Sequence, residues 1–483
     1  MNNIILLPII FPFLAAIIIA VCNFTEKRRN IFAGSIIFLN LIFVSYIVAN
    51  FNGISMHVIK MNEFLDIYFK VDKLSVFFSL LVSVLWLFTS IYAMEYMKHE
   101  GKEKRFFAYF ILTLGVTLGI AFAGNLITLY LFYELLTLTT FPLVIHSGSK
   151  EALKSGMKYL IYSFTGATVA LLGMLILFSL TNNLTFVPGG VINANLLDNK
   201  TLYFIIYVSM FIGFGVKAAL VPFHSWLPAA MVAPTPVSSL LHAVAVVKSG
   251  IFAITRVTFY IFGANAVRFT GANKYLIILV IISILMGSFL ALHQENLKKR
   301  LAYSTISQLG YILLGILLLN KNAFIGAMMH LLNHAVIKIT LFFCVGAIMY
   351  TTGKTKISEI NGIGKSMNIT MFCFTISSIS LIGIPPTNGF ISKWLLAEGS
   401  LVEGKIGFPV ILLLSALLTA MYLFPISIAA FFTKDESNVL EKKKAPIKML
   451  IPIVCITVIT VFLGLFPNFV LDFLRAMASE IMN

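Results

Sequence analysis

The chain has 483 residues, of which 59% are hydrophobic and 11% charged, with 35 Lys and Arg against 19 Asp and Glu. Soluble domains carry roughly 25% charge, so the composition excludes a string of soluble domains and leaves an integral membrane protein. The formal charge of +16 lies mostly in loops between apolar runs, which removes nucleic acid as its explanation. Cys22, Cys344, Cys373 and Cys455 stand far apart, so neither a disulfide framework nor a metal cluster is expected.

Runs near ~20 apolar residues are long enough to cross a bilayer. Fourteen are expected, near 4–21, 31–50, 74–94, 106–123, 126–145, 157–180, 202–227, 237–262, 275–293, 301–319, 323–350, 368–398, 406–432 and 449–470. A free backbone has no partner in hydrocarbon, so these read as helices and the fold class as all-α. The first run lacks a basic flank and a cleavage site, and reads as a retained helix rather than a signal peptide. Loops after odd-numbered runs carry 21 Lys and Arg and the opposite loops 9. By the positive-inside rule both termini lie outside.

The seventh run contains Pro222 and Pro228, and the twelfth Gly383, Pro385, Pro386 and Gly389. Proline removes a backbone donor and breaks a helix. Broken helices at matching positions of two halves point to a transport site in an inverted-repeat membrane protein. These two lie five runs apart, which divides the chain into 1–105, a first repeat of helices 4–8 (106–262), a second of helices 9–13 (263–432), and a C-terminal loop and helix (433–483).

Five charged groups stand inside these runs with no obvious reason to be there. Glu134, Lys217, Lys248, Lys338 and Lys393 lie well within apolar sequence. An ammonium at the bilayer centre costs about 3 kcal/mol or more on insertion scales. Such groups line a polar path or pair with each other. Glu134 and Lys217 are a candidate pair; at ~4 Å and an effective dielectric of ~20 their attraction is about 4 kcal/mol. Closing that pair would hold a proton on Lys217 and opening it would release one; a static ion pair is the plainer alternative. Lys248 follows His242 on a run dense in Ser and His, which suggests a wetted face, with a snorkelling lysine as the alternative. His330, His334 and Lys338 are spaced i, i+4, i+8 and share one helix face beside Asn333. Imidazole titrates near neutral pH, so this row suits proton relay. Two histidines i, i+4 can also hold zinc, but no third ligand stands nearby. Lys393 follows the second break as the last intramembrane base. Arg256 lies nearer the end of its run, where it could anchor at an interface; His224 and Trp226 read as architectural. No dinucleotide, Walker, Fe–S or haem pattern appears, so the chain is expected to carry no cofactor of its own.

Together these residues have a family look. The stretch from Phe214 to Lys248 (FGVKAALVPFHSWLPAAMVAPTPVSSLLHAVAVVK) resembles the signature of the antiporter-like subunits of respiratory complex I, Mrp-type sodium/proton antiporters and energy-converting membrane hydrogenases. The helix with Glu134, the segment Asn296 to Tyr311 (NLKKRLAYSTISQLGY) and Gly383 to Lys393 (GIPPTNGFISK) are similar too. The resemblance covers about residues 70–430. It implies fourteen helices in two inverted five-helix repeats with both termini outside. It also implies a switching pair at Glu134 and Lys217, a link through Lys248, an axis through His334 and Lys338, and a terminal site at Lys393. His242 and His330 complete the set. Some members have histidine where Gln308 stands, so no transfer role is expected there.

The wording Ala230 to Pro236 and the chain length resemble most the D-type Mrp subunit and its hydrogenase counterpart. With about a dozen residues after the last run, no long lateral helix is expected. The resemblance implies other membrane subunits as partners, including another antiporter-like or small one, and transport of protons with or without sodium. It allows a peripheral hydrogenase or dehydrogenase arm, whose Fe–S clusters, with or without a nickel–iron centre, would lie in partner subunits. The location implied is a prokaryotic cell membrane. The alternatives are a stand-alone Mrp-type antiporter without redox partner, an independent solute transporter, and a purely structural subunit.

Overall fold

In lipid each apolar run must close its own backbone hydrogen bonds, and helix formation follows from that alone. The computed structural model describes residues 2–50, 53–60, 62, 66–192, 199–433 and 444–482. A short 3-10 turn leads into α1 (Leu7–Val21), followed by α2 (Glu26–Ala49). A hairpin of β1 (Ser55–Lys60) and β2 (Asp66–Lys70) comes next. Then follow α3 (Lys73–Glu100), α4 (Glu103–Ala121), α5 (Leu126–Val144), α6 (Lys150–Thr181) and α7 (Lys200–Gly215). The middle of the chain holds α8 (Trp226–Ala229), α9 (Thr235–Ala243), α10 (Val246–Arg256), a π-helical turn Val257–Phe262, α11 (Ala264–Thr270), α12 (Ala272–Leu292) and α13 (Leu297–Leu317). The last part holds α14 (Lys321–Thr352), α15 (Asn368–Ile382), α16 (Asn388–Val402), α17 (Gly407–Phe432), α18 (Ile447–Leu465) and α19 (Asn468–Ile481).

Eleven helices among the described residues are long and apolar enough to cross a membrane, against the fourteen runs expected. The other three runs are shorter or more polar. Run 202–227 becomes α7 and a turn, run 368–398 becomes α15 and α16, and run 301–319 becomes α13, which carries Ser304, Thr305, Ser307 and Gln308. Lys434, Lys442 and Lys443, used in the orientation count, lie outside the described residues.

The all-α expectation needs one correction. β1 and β2 pair antiparallel, Ser55 opposite Lys70, with an irregularity between His57 and Ile59. This segment is not embedded in a helix, so its backbone finds partners across a hairpin and against the tight α4–α5 turn. Lys70 N donates to Phe122 O (2.9 Å), and Gly124 N to Tyr68 O (2.8 Å). Asn125 caps α5 by accepting from Thr128 N and donates to Asp66 O at 2.7 Å.

The centre of the bundle is occupied by two segments. The Thr235–Phe262 window is 100% buried and that of α14 is 94% buried, whereas α1, α2, α6 and α17 are buried by less than half. Bare glycines let neighbours approach. A Cβ at Gly250 of α10 would lie 2.7 Å from Ala218 N and 2.9 Å from Phe214 O, so α10 rests on the end of α7. A Cβ at Gly213 of α7 would lie 2.6 Å from Gly166 O and 2.8 Å from the Ala170 Cβ on α6.

Among the described residues three spans are interrupted, and backbone N–H groups at each interruption find acceptors. After α7, Leu220 N donates to Gly215 O, Trp226 Nε1 to Val216 O (2.9 Å) and Val221 N to Ser283 Oγ (3.0 Å). After α15, Gly383 takes φ +88°, which an L side chain resists, and donates to Ile379 O and Ser380 O. The third break, at Val244 and Ala245, was not expected from the sequence. Both residues donate to Leu240 O, and α10 restarts at Val246.

Gly213→Ala is expected to destabilise the detergent-solubilised protein by about 1–3 kcal/mol through overpacking. Gly407→Ala, with nothing within 4 Å of its Cβ, should be near neutral. Thermal melts of the two variants check this; equal melting points would remove the α6–α7 contact as a constraint.

Candidate functional site

The α7 break presents Lys217 to α5. Its Nζ lies 3.8 Å from Glu134 Oε1, donates to the Tyr133 carbonyl oxygen, and sits 3.4 Å from the centroid of the Tyr133 ring. Tyr133 in turn donates from its hydroxyl to Phe214 O at 3.2 Å. The two charges are unequally placed: the Lys217 side chain is fully buried, while that of Glu134 is 21% exposed at the edge of α5. The expected pair is therefore present, but as a near approach with no direct hydrogen bond. Glu134 Oε1 has no hydrogen-bond partner among the described residues. Such a pair can open at little cost in geometry.

The break between α9 and α10 places Lys248. Its Nζ donates to His242 O, a carbonyl left free at the end of α9, at 2.9 Å, and lies 2.7 Å from His334 Nδ1 on α14. One proton serves this contact in either of two arrangements: on the amine, donating to the bare ring nitrogen, or on the ring, donating to the amine. His334 Nε2 and both ring nitrogens of His242 are buried without a hydrogen-bond partner among the described residues. The His242 ring packs beside Phe342, so it is the His242 backbone rather than its ring that touches Lys248.

The row on α14 reaches three different neighbours. His330 Nδ1 is 2.9 Å from Ser392 Oγ of α16, and its Nε2 is 3.1 Å from Gln308 Oε1 of α13. Its ring stacks on Tyr311 at 5.3 Å and lies 6.2 Å from that of His334. Lys338 Nζ donates to Leu301 O (3.1 Å) and to Ser304 Oγ on α13. From His330 to Lys338 the row extends about 12 Å along the helix. Asn333 and Asn388 bond reciprocally and join α14 to the start of α16.

Lys393 donates to Leu381 O and Ile382 O, both at 2.8 Å, the last carbonyls of α15. Its Nζ lies 5.1 Å from the centroid of the Tyr311 ring. His330, Tyr311 and Lys393 are thus one cluster. Among the described residues no hydrogen bond joins Lys217 to Lys248, and none joins Lys338 to His334 or Lys393. No group of three or more His, Cys, Asp and Glu that could hold a metal occurs among them either.

Arg256 is not the interfacial anchor that its position suggested. It is fully buried and held by Asp72, with NH1 to Oδ2 at 2.5 Å and NH2 to Oδ1 at 2.9 Å. NH2 also donates to Ser75 Oγ, and the guanidinium lies within 4.4–5.1 Å of the Tyr260, Phe186 and Phe252 ring centroids. Planar bidentate pairing is what a desolvated guanidinium requires. Asp72 was overlooked in the sequence because it precedes its run and also caps α3. The signal was available: a lone intramembrane arginine demands a carboxylate. Tyr133, Ser304, Tyr311 and Ser392 were also overlooked, and isolated hydroxyls in apolar sequence give little to find them by.

Comparison with known proteins gives this arrangement relatives. The family model described as "NADH:quinone oxidoreductase/Mrp antiporter, TM" matches residues 123–419, and that described as "NADH-Ubiquinone oxidoreductase (complex I), chain 5 N-terminus" matches 59–107. The chain is 33% identical to NADH-quinone oxidoreductase subunit N of Desulforudis audaxviator over 82% of its length and 81% of the relative's. It is 33% identical to the Na(+)/H(+) antiporter subunit A1 of Staphylococcus haemolyticus over 83% of its length, spanning about half (52%) of that relative. Among solved structures, a chain of the archaeal membrane-bound sulfane sulfur reductase and one of the Mrp complex from a Dietzia species each superpose with TM-score 0.87. Identities are 22% and 20%, with 100% of this chain and 98% of each neighbour covered. At those identities the likeness is one of fold.

Removing one member of a buried ion pair strands the other. Asp72→Asn is expected to lower stability by about 3–5 kcal/mol. An Asp72→Leu/Arg256→Met double variant should recover much of that loss. Melts in detergent check both; an unperturbed Asp72→Asn would mean that Arg256 finds another counter-charge.

Proposed function

Because this chain belongs to the antiporter-like membrane subunits shared by NADH:quinone oxidoreductases and Mrp antiporters, we propose that it moves protons along a buried Glu–Lys–His axis within a larger complex. The observation that carries this reading is the Lys248–His334 contact: two bases, both buried, 2.7 Å apart, able to hold one proton between them.

In the proposed cycle a charge change in a neighbouring subunit acts on Glu134, the less buried partner, and loosens its hold on Lys217. Lys217 then gives its proton toward Lys248. The bare backbone of Gly250 brings α10 against the end of α7, which sets Lys248 on the helix next to the Lys217 turn. From Lys248 it passes to His334 and on to His330, with Lys338 and His242 setting the local charge. Lys393 is the terminal site, reached through the Tyr311–His330 cluster. Sodium-coupled and redox-coupled versions share these steps.

The same reading takes the helices as fourteen crossings in two inverted repeats, helices 4–8 and 9–13, with the α7 break and the α15–α16 break at equivalent places. The excess of basic loops after odd-numbered crossings supports an orientation with both termini outside, in a prokaryotic cell membrane. The partners are other membrane subunits and, in the redox-coupled version, a peripheral arm bearing Fe–S clusters. The stretch Ala230 to Pro236 supports a D-type position in such a complex.

Lys393→Ala and Glu134→Gln should each lower cation-coupled proton flux in proteoliposomes by about 100-fold, the low end of what a positioned proton-transfer group contributes, while the complex still assembles. Flux at the wild-type level in either variant would remove that residue from the path. Iron and nickel content of the intact complex separates the coupled chemistries. Iron with nickel means a hydrogenase arm, iron alone a dehydrogenase arm, and neither an antiporter driven by ion gradients.

A further inference from the structure

α1 and α4 touch at one level and part at another. A Cβ at Gly115 would lie 2.7 Å from Ile9 O and 3.1 Å from Phe13 and Pro12 side-chain atoms, so the helices meet there with no room between them. Toward the C-terminal end of α1 the facing residues are Ala16, Ala20 and Ala108. These do not fill the space, and a groove of about 540 Å³ opens between the helices.

The walls of this groove are apolar, and its mouth is rimmed by Lys102, Lys104 and Arg105. None of the three is paired with a carboxylate among the described residues; the nearby Glu103 is taken by Arg29. Lys104 donates to Asn23 Oδ1 (2.8 Å) and Val21 O (3.4 Å), and Arg105 gives one nitrogen to Pro142 O (3.0 Å) and Ile145 O (3.5 Å). These neutral acceptors leave three positive charges uncompensated around an apolar slot, and Arg105 Nε is buried without a partner.

We propose that this groove binds an anionic phospholipid, its acyl chain lying between α1 and α4 and its phosphate at Lys102, Lys104 and Arg105. The occupant must be apolar along most of its length and negative at one end. A zwitterionic lipid would leave the rim uncompensated, and free phosphate would leave the slot unfilled. Basic residues at the end of a membrane helix attract acidic lipid by about 1 kcal/mol each, or roughly fivefold in affinity. The site also joins the proton path, because Arg105 holds the last carbonyls of α5, the helix that carries Glu134.

The test is native mass spectrometry of the intact complex after exposure to phosphatidylglycerol, or to phosphatidylcholine with the same acyl chains. Phosphatidylglycerol should be retained in preference. Lys102→Gln/Lys104→Gln should lower its retention about fivefold for each charge removed. Ala20→Leu, which fills the slot and leaves the rim intact, should lower retention of both lipids. Three results would each overturn the proposal: equal retention of the two lipids by the wild type, retention unchanged in both variants, or displacement of the lipid by inorganic phosphate. A cross-link from Ala20→Cys to another subunit would do so as well, since a protein helix would then own the groove.

Discussion

Backbone carbonyl acceptors make lysines tolerable inside this bundle, and for Lys248 and Lys393 those carbonyls are freed at helix breaks. In a continuous helix every carbonyl except the last four is already bonded, so an amine there must share an acceptor, as Lys217 does at Tyr133 O of α5 and Lys338 at Leu301 O of α13. An interruption in mid-membrane supplies acceptors and the negative end of a helix dipole together. Lys393 takes the last two carbonyls of α15, and Lys248 takes one at the end of α9. Lys217 lies in the turn that follows α7 and reaches across to a carbonyl of α5. Neutral acceptors of this kind hold an amine whether or not it carries its extra proton. That distinguishes them from a carboxylate partner, which would hold the ammonium alone.

The two buried ion pairs make the same distinction. Arg256 and Asp72 form a bidentate pair with Ser75 as a further acceptor and three aromatic rings around the guanidinium. Guanidinium does not give up its proton, so this pair is a rivet between α3 and the end of α10. Glu134 and Lys217 stand 3.8 Å apart, with the carboxylate at the edge of the chain. Their loose, asymmetric placement suits a contact that responds to what lies beside it.

Much of this was legible in the sequence, and the failures have physical causes. Intramembrane charge is rare enough that Glu134, Lys217, Lys248, Lys338 and Lys393 announce themselves, and the i, i+4, i+8 spacing of His330, His334 and Lys338 fixes their shared face. Proline marks the breaks near Pro222 and Pro385. The break at Val244 and Ala245 has no such mark: its residues are ordinary in a membrane helix, and only the packing of α9 and α10 around Lys248 produces it. The Arg256–Asp72 pair spans 184 residues of sequence, a separation across which local pattern carries no information. The hairpin leaves little trace in the sequence because its short strands lie between apolar runs and take their partners from the α4–α5 turn.

α14 is unbroken for 32 residues, although two of the segments that touch its polar row, α9–α10 and α15–α16, are interrupted. Its polar row therefore behaves as a straight rule laid against α10, α13 and α16. One residue inserted between His330 and Lys338 would turn Lys338 about 100° around the helix and shift it about 1.5 Å along it. Ser304 would be left facing an apolar side chain, and the row could not be repaired by substitution. A substitution on this helix alters one contact, whereas an insertion displaces every residue beyond it.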